Sequence, residues 1–120
     1  MTVDAPRRAA FDVLRQVTGE DAYANLALAQ ALEGARLEPR DAAFVTELVA
    51  GTARLSGTYD AILAAASGRP RFEPALADAL RLGAHQLLSM RVPTHAGVGA
   101  TVDLAAAEVG EKVAGLTNAV

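Results

Sequence analysis

Apolar positions along the chain recur at helical spacing, and nowhere does a strict period-2 alternation with β-branched residues hold. The glycines and prolines cut this pattern into segments. In the first, from about Pro6 to Thr18, Ala10, Val13, Leu14 and Val17 fall on one stripe, with Arg8, Asp12 and Arg15 opposite. Pro6 suits a first helical turn and Gly19 a far end. A second segment runs from Asp21, placed to cap it, to Glu33, with Ala24, Leu28, Ala31 and Leu32 facing inward and Gly34 as its stop. Pro39 opens a third, whose broad inner face carries Phe44, Val45, Leu48, Val49 and Thr52. After a break at Ser56-Gly57-Thr58 a short fourth packs Tyr59, Ile62, Leu63 and Ala66. The turn-rich link from Ser67 to Pro74 carries Arg69 and Arg71.

The fifth segment, roughly Pro74 to Met90, is the most apolar. At 100° per residue Leu76, Leu80, Gly83, Ala84 and Leu87 share one face with Leu88 and Met90 at its edges, and Asp78, Arg81, His85 and Ser89 form a narrow polar strip. A helix apolar over most of its circumference belongs at the centre of a bundle. Pro93 begins a sixth, with Val98, Val102, Ala105 and Val109 in register and Gly110 at its end, and a seventh starts near Ala114. The fold class expected is all-α.

With 120 residues, 52% of them hydrophobic, the chain has length for one domain and ample material for a core. Only five residues are aromatic and alanine predominates, so that core must be made by closely approaching helices. No stretch resembles a signal peptide or a membrane span, which leaves a soluble protein as the expectation. The net charge of −3 and pI near 5.3 exclude a strong overall field for nucleic acid, and any such binding must come from a local patch. Ten of the eleven basic residues are arginines, the side chain suited to bidentate phosphate contact, although a biased genome would give the same ratio.

Candidate chemistry is sparse. Cysteine is absent, which removes disulfides, thiolate ligands and thiol nucleophiles, and a reducing cytoplasm fits this. His85 and His95 fall on different helices with no third ligand of the usual kind, so no metal site is expected. Gly97-Val98-Gly99 follows no strand and lacks a third glycine where Val102 stands, so it reads as close helix packing and not as a phosphate loop. Ser56, Ser67 and Ser89 have no recognisable histidine and acid arrangement around them. No catalytic residue and no cofactor site emerges.

The ordered motifs "RRAAFDVLRQV", "YANLAL", "DAAFVTELVAGTAR", "LRLGAHQLLSMRVPTHAGVGATVDLA" and "GLTNAV" resemble the NusB-like domain over nearly the whole chain. The resemblance implies an all-α fold of about seven helices in two packed bundles, spanning residues 1–120. The family is known from the antitermination factor NusB and from the N-terminal region of ribosomal RNA small-subunit methyltransferase B. Gln86 in "LGAHQLL" and the Gly-Thr-x-Arg ending of "ELVAGTAR" resemble the methyltransferase branch, and "TNAV" resembles the start of a further helix within a longer protein. Gly99 departs from the family, which tends to be polar there. On this resemblance a catalytic domain using S-adenosylmethionine is expected after residue 120, in the same chain and in the cytoplasm. Cytosine-C5 methylation in that branch uses a cysteine nucleophile, so these residues cannot perform it themselves.

The role implied is to position small-subunit ribosomal RNA, with no membrane or metal involved. The resemblance points to Arg7, Arg8 and, by periodicity, Arg15 for RNA contact, with Arg54, Arg81 and Arg91 as further candidates; a solvated surface role is the alternative for each, and Arg54 could pair with an acid. Gln86 reads as a structural hydrogen-bonding residue. Two other readings stand beside this one: an antitermination factor binding RNA jointly with a ribosomal protein, and a module that docks a catalytic domain with little RNA affinity of its own.

Overall fold

A computed structural model of the chain describes residues 3–20, 24–69 and 71–109. They form six helices and no strand: α1 (Ala5–Glu20), α2 (Ala24–Ala35), α3 (Pro39–Arg54), α4 (Ser56–Ser67), α5 (Pro74–Leu88) and α6 (Thr94–Glu108). The all-α expectation holds. The cap at Asp21, the stop at Gly110 and the seventh helix from Ala114 lie outside the described residues.

Helix starts are set by proline and by one acid. Pro39 and Pro74 occupy the first turns of α3 and α5, where a missing N–H costs nothing. Asp4 caps α1 by accepting the Arg7 N–H at 3.0 Å. Two expected breaks are not breaks. Gly34 lies inside α2, which continues to Ala35, and Ser56-Gly57-Thr58 forms the first turn of α4, so that only Leu55 separates α3 from α4. A single glycine costs a helix about 1 kcal/mol, which neighbouring packing readily offsets.

The helices α1, α2 and α3 pack against one another, and α5 packs against α4 and α6 while also touching α1 and α3. The core runs through both groups: Ala10, Phe11, Val13 and Leu14 from α1, Val45, Leu48 and Val49 from α3, Leu76, Ala79, Leu80 and Leu82 from α5, and Leu104 and Ala105 from α6. The fifth helix is therefore central, as its pattern predicts.

Two inner faces differ from expectation. On α4 only Tyr59 and Leu63 are buried, whereas Ile62 is 42% exposed and Ala66 is exposed, because one flank of this helix faces no described element. On α6 Ala105 of the predicted stripe is buried, but the other buried residues are Gly97, Thr101, Leu104 and Ala106, one step round from Val98, Val102 and Val109. That helix is apolar or small almost all round, so periodicity carries little information about which side turns inward.

Close approach depends on glycine at two helix crossings. A Cβ at Gly83 of α5 would run into Oγ1 of Thr101 on α6, and one at Gly51 of α3 would run into the His85 ring on α5. Gly97 lies buried under Leu87, whereas Gly99 faces open space, so only the first of the Gly97-x-Gly99 pair serves packing. Gly83→Ala is therefore expected to destabilise the protein by about 1–3 kcal/mol through overpacking. Gly99→Ala, mid-helix and unobstructed, is expected to stabilise it by about 0.5–1 kcal/mol. Urea unfolding midpoints of the two variants should move in opposite directions.

Candidate functional site

Of the polar strip of α5 only Ser89, at its end, is exposed. Asp78, His85 and Gln86 are 0%, 1% and 2% exposed, and each is met by side chains from other helices. Burial of such groups is tolerable only with full hydrogen bonding.

Asp78 is held from two sides. Its Oδ2 accepts from Arg15 Nη1 at 2.8 Å and from Thr18 Oγ1 at 2.6 Å, both on α1. Its Oδ1 accepts from Arg81 Nη1 at 2.8 Å. Arg81 then donates through Nε and Nη2 to both oxygens of Asp60 on α4, at 2.6 and 2.9 Å. The hydrogen bond to Asp60 is the main reason the Arg81 guanidinium is held even more firmly protonated than usual; burial opposes it, and attraction to Asp60 and contact with Asp78 reinforce it. Bidentate geometry of this kind is the strong form of the arginine–carboxylate pair.

One turn further along, His85 joins three helices. Its Nε2 lies 2.8 Å from Oε2 of Glu47 on α3, and its Nδ1 lies 2.6 Å from the Tyr59 hydroxyl on α4. A carboxylate only accepts, so Nε2 carries the hydrogen. A neutral ring then accepts at Nδ1 from the Tyr59 O–H. The Tyr59 oxygen is 2.8 Å from Ser89 Oγ, whose hydroxyl completes the chain as donor. Gln86 accepts from Arg7 Nε at 2.7 Å and donates to the Leu82 carbonyl at 3.1 Å, the structural role expected for it. Among the described side chains one buried polar atom, Thr52 Oγ1, has no partner.

The six arginines singled out in the sequence fall into two classes. Arg7 is bonded to Gln86 and Asp4 and lies over the Phe44 ring, 5.2 Å from its centroid. Arg8 pairs with Glu108 of α6 and lies near Asp12, whose carboxyl burial holds above its ordinary value while the Arg8 charge works the other way. Arg15 and Arg81 share Asp78. Arg15 lies opposite the apolar stripe of α1, as its spacing predicts, but its long side chain reaches round the helix to a buried acid. Only Arg54 and Arg91 are exposed and form no ion pair among the described residues.

Each stands at a helix junction, Arg54 at that between α3 and α4 and Arg91 at that between α5 and α6. Arg54 ends α3, one residue before Leu55 and α4, and Arg91 follows α5. The chain doubles back over the end of α5, with Met90 N–H donating to the His85 carbonyl and Val92 N–H to the Gln86 carbonyl. Arg91 sits in the left-handed region at φ 57 and is exposed. Both arginines also lie at helix C-termini, where a cation complements the exposed carbonyls.

Sequence periodicity missed the depth of Asp78 and the Glu47–His85–Tyr59–Ser89 chain, because it reports faces and not partners. Among the described residues no group of three or more histidine, aspartate or glutamate side chains could hold a metal ion. No described helix is long and apolar enough to cross a membrane.

Residues 4–120 match the model of the NusB family. The chain is 48% identical over 98% of its length to "Putative methyltransferase Rv1407" of Mycobacterium tuberculosis strain H37Rv. It is 38% identical over 84% of its length to "Probable ribosomal RNA small subunit methyltransferase B" of Synechocystis. It spans 26% and 23% of the length of these two relatives. In fold it is similar to a chain in the "Crystal Structure of a Plectonemic RNA Supercoil", with a TM-score of 0.86, 20% identity and coverage of 95% of this chain and 86% of that one.

Removing the Tyr59 hydroxyl leaves His85 Nδ1 buried without a donor. Tyr59→Phe is expected to cost about 1–3 kcal/mol and Ser89→Ala, at an exposed position, less than about 1 kcal/mol. Equilibrium urea unfolding of both variants measures the difference.

Proposed function

The chain belongs to the NusB family, and on that footing we propose that it is an RNA-binding domain that positions small-subunit ribosomal RNA for a cytosine-C5 methyltransferase domain of the same chain lying after residue 120. The observation that carries this reading is the near-full-length likeness to proteins named as methyltransferases, which are about four times as long. S-adenosylmethionine and a thiol nucleophile would then be supplied by that catalytic domain, in the cytoplasm. The 120 residues contain no cysteine, so their own contribution is binding and orientation.

RNA contact is assigned first to Arg54 and Arg91, because their charges are not committed inside the fold. Arg7, Arg8, Arg15 and Arg81 reach RNA only through the donor edges their acidic partners leave open. The negative net charge keeps affinity low and salt-dependent. It equally favours the docking-module reading, in which the domain holds the catalytic domain and binds little RNA.

Fluorescence-anisotropy titrations with ribosomal RNA fragments at several salt concentrations separate these. Single-strand binding falls with salt by about 0.7 log units per phosphate neutralised. The double substitution Arg54→Ala and Arg91→Ala should therefore flatten the log–log slope by about 1.4. An unchanged slope moves the site to the paired arginines, and no binding at low salt supports docking instead. Bisulfite sequencing of small-subunit ribosomal RNA from cells lacking the gene should show one 5-methylcytosine lost; an unaltered pattern contradicts the methyltransferase assignment.

A further inference from the structure

Between the N-terminal turns of α1 and α3 lies a cavity of about 390 Å³ lined by Asp4, Pro6, Arg7, Asp41 and Phe44. Its chemistry is mixed in an ordered way. The Arg7 guanidinium rests over the Phe44 ring, and its Nε and Nη1 are taken by Gln86 and Asp4, which fixes its plane. Its Nη2 has no acceptor among the described residues and its side chain remains 20% exposed, so a donor edge is left for something entering the cavity. Asp4 is 44% exposed at its side chain and Asp41 forms no ion pair among the described residues, so both carboxylates offer acceptors.

A phosphate is the wrong guest for this place, since two carboxylates would repel it. A flat, neutral group that stacks on an aromatic or guanidinium plane and brings its own N–H donors is the right one. Unpaired RNA bases are recognised in this manner, splayed out and bonded along their Watson–Crick edges. Among them guanine presents one acceptor, O6, beside two donors, N1–H and N2–H, which complements one donor edge beside two carboxylates. Uracil presents a single donor between two carbonyl oxygens and does not. Arg36 in the turn before α3 and Arg40 in its first turn are exposed and outside any ion pair, placed to meet the flanking phosphates.

We infer that this cavity receives one unpaired guanine of the bound RNA, with Asp41 as an acceptor for its N1–H and N2–H edge. The inference rests on the RNA-binding reading and adds to it a base-specific subsite, apart from the phosphate contacts of Arg54 and Arg91.

The probes are hexauridine and a uridine hexamer with a single central guanosine, titrated by fluorescence anisotropy at low salt. The guanosine oligomer should bind at least about ten-fold more tightly, as one bidentate base contact would provide. Asp41→Asn, which turns one acceptor oxygen into a donor, should bring that ratio below about two. Asp41→Glu should restore part of it, which a merely structural change would not do. Equal affinity of the parent for the two oligomers, or a ratio indifferent to Asp41→Asn, overturns the subsite while leaving RNA binding standing. Failure of both oligomers to bind overturns RNA binding and the subsite together.

Discussion

A helix enclosed by four others cannot leave a buried polar side chain without a partner, and α5 carries Asp78, Arg81, His85 and Gln86 within about two and a half turns. Each is answered from a neighbouring helix: Asp78 by Arg15 and Thr18 of α1, Arg81 by Asp60 of α4, His85 by Glu47 of α3 and Tyr59 of α4, Gln86 by Arg7 of α1. Buried ion pairs of this kind add little net stability compared with apolar packing, because desolvation offsets most of the attraction. Losing one partner is expensive, however, so they fix register. Sliding α1 by one residue along α5 would take Arg15 and Thr18 from Asp78 and Arg7 from Gln86, and turning α4 would take Asp60 from Arg81 and Tyr59 from His85.

That constraint reallocates the positive charge. A domain with ten arginines and a net charge of −3 has a small reserve for an external anion, and much of α1's share is spent inward on Asp4, Glu108, Asp78 and Gln86. What is left outside lies in helix ends and turns, at Arg36, Arg40, Arg54, Arg69, Arg71 and Arg91. Among the described residues the uncommitted positive charge therefore lies at junctions more than along one basic helix.

The helical class, the central place of α5 and the structural role of Gln86 were legible in the sequence because each follows from spacing within a single segment. The partners that other helices bring to Asp78 and His85 were not, since a pairing across 26 positions, as for Tyr59 with His85, or 60, as for Thr18 with Asp78, leaves no local trace. Likewise the inner faces of α4 and α6 misled: small and apolar residues surround those axes, so the covered side depends on neighbours and not on period. Gly34 and Gly57 lie inside helices because tertiary contacts outweigh a propensity term of about 1 kcal/mol. Arg15 shows the limit most plainly. A helical wheel locates its Cα, but the reach of its side chain decides whether its charge belongs to solvent or to the core.

The inward reach of Arg15 is tested most directly by a double-mutant cycle between Arg15→Ala and Asp78→Ala, read by urea unfolding. A coupling energy of about 1–3 kcal/mol is the result the structure requires, because each single variant already loses the shared contact. Additive effects within about 0.5 kcal/mol would mean that Arg15 stands free in solvent, and the first helix would regain its claim to be the basic face of the molecule.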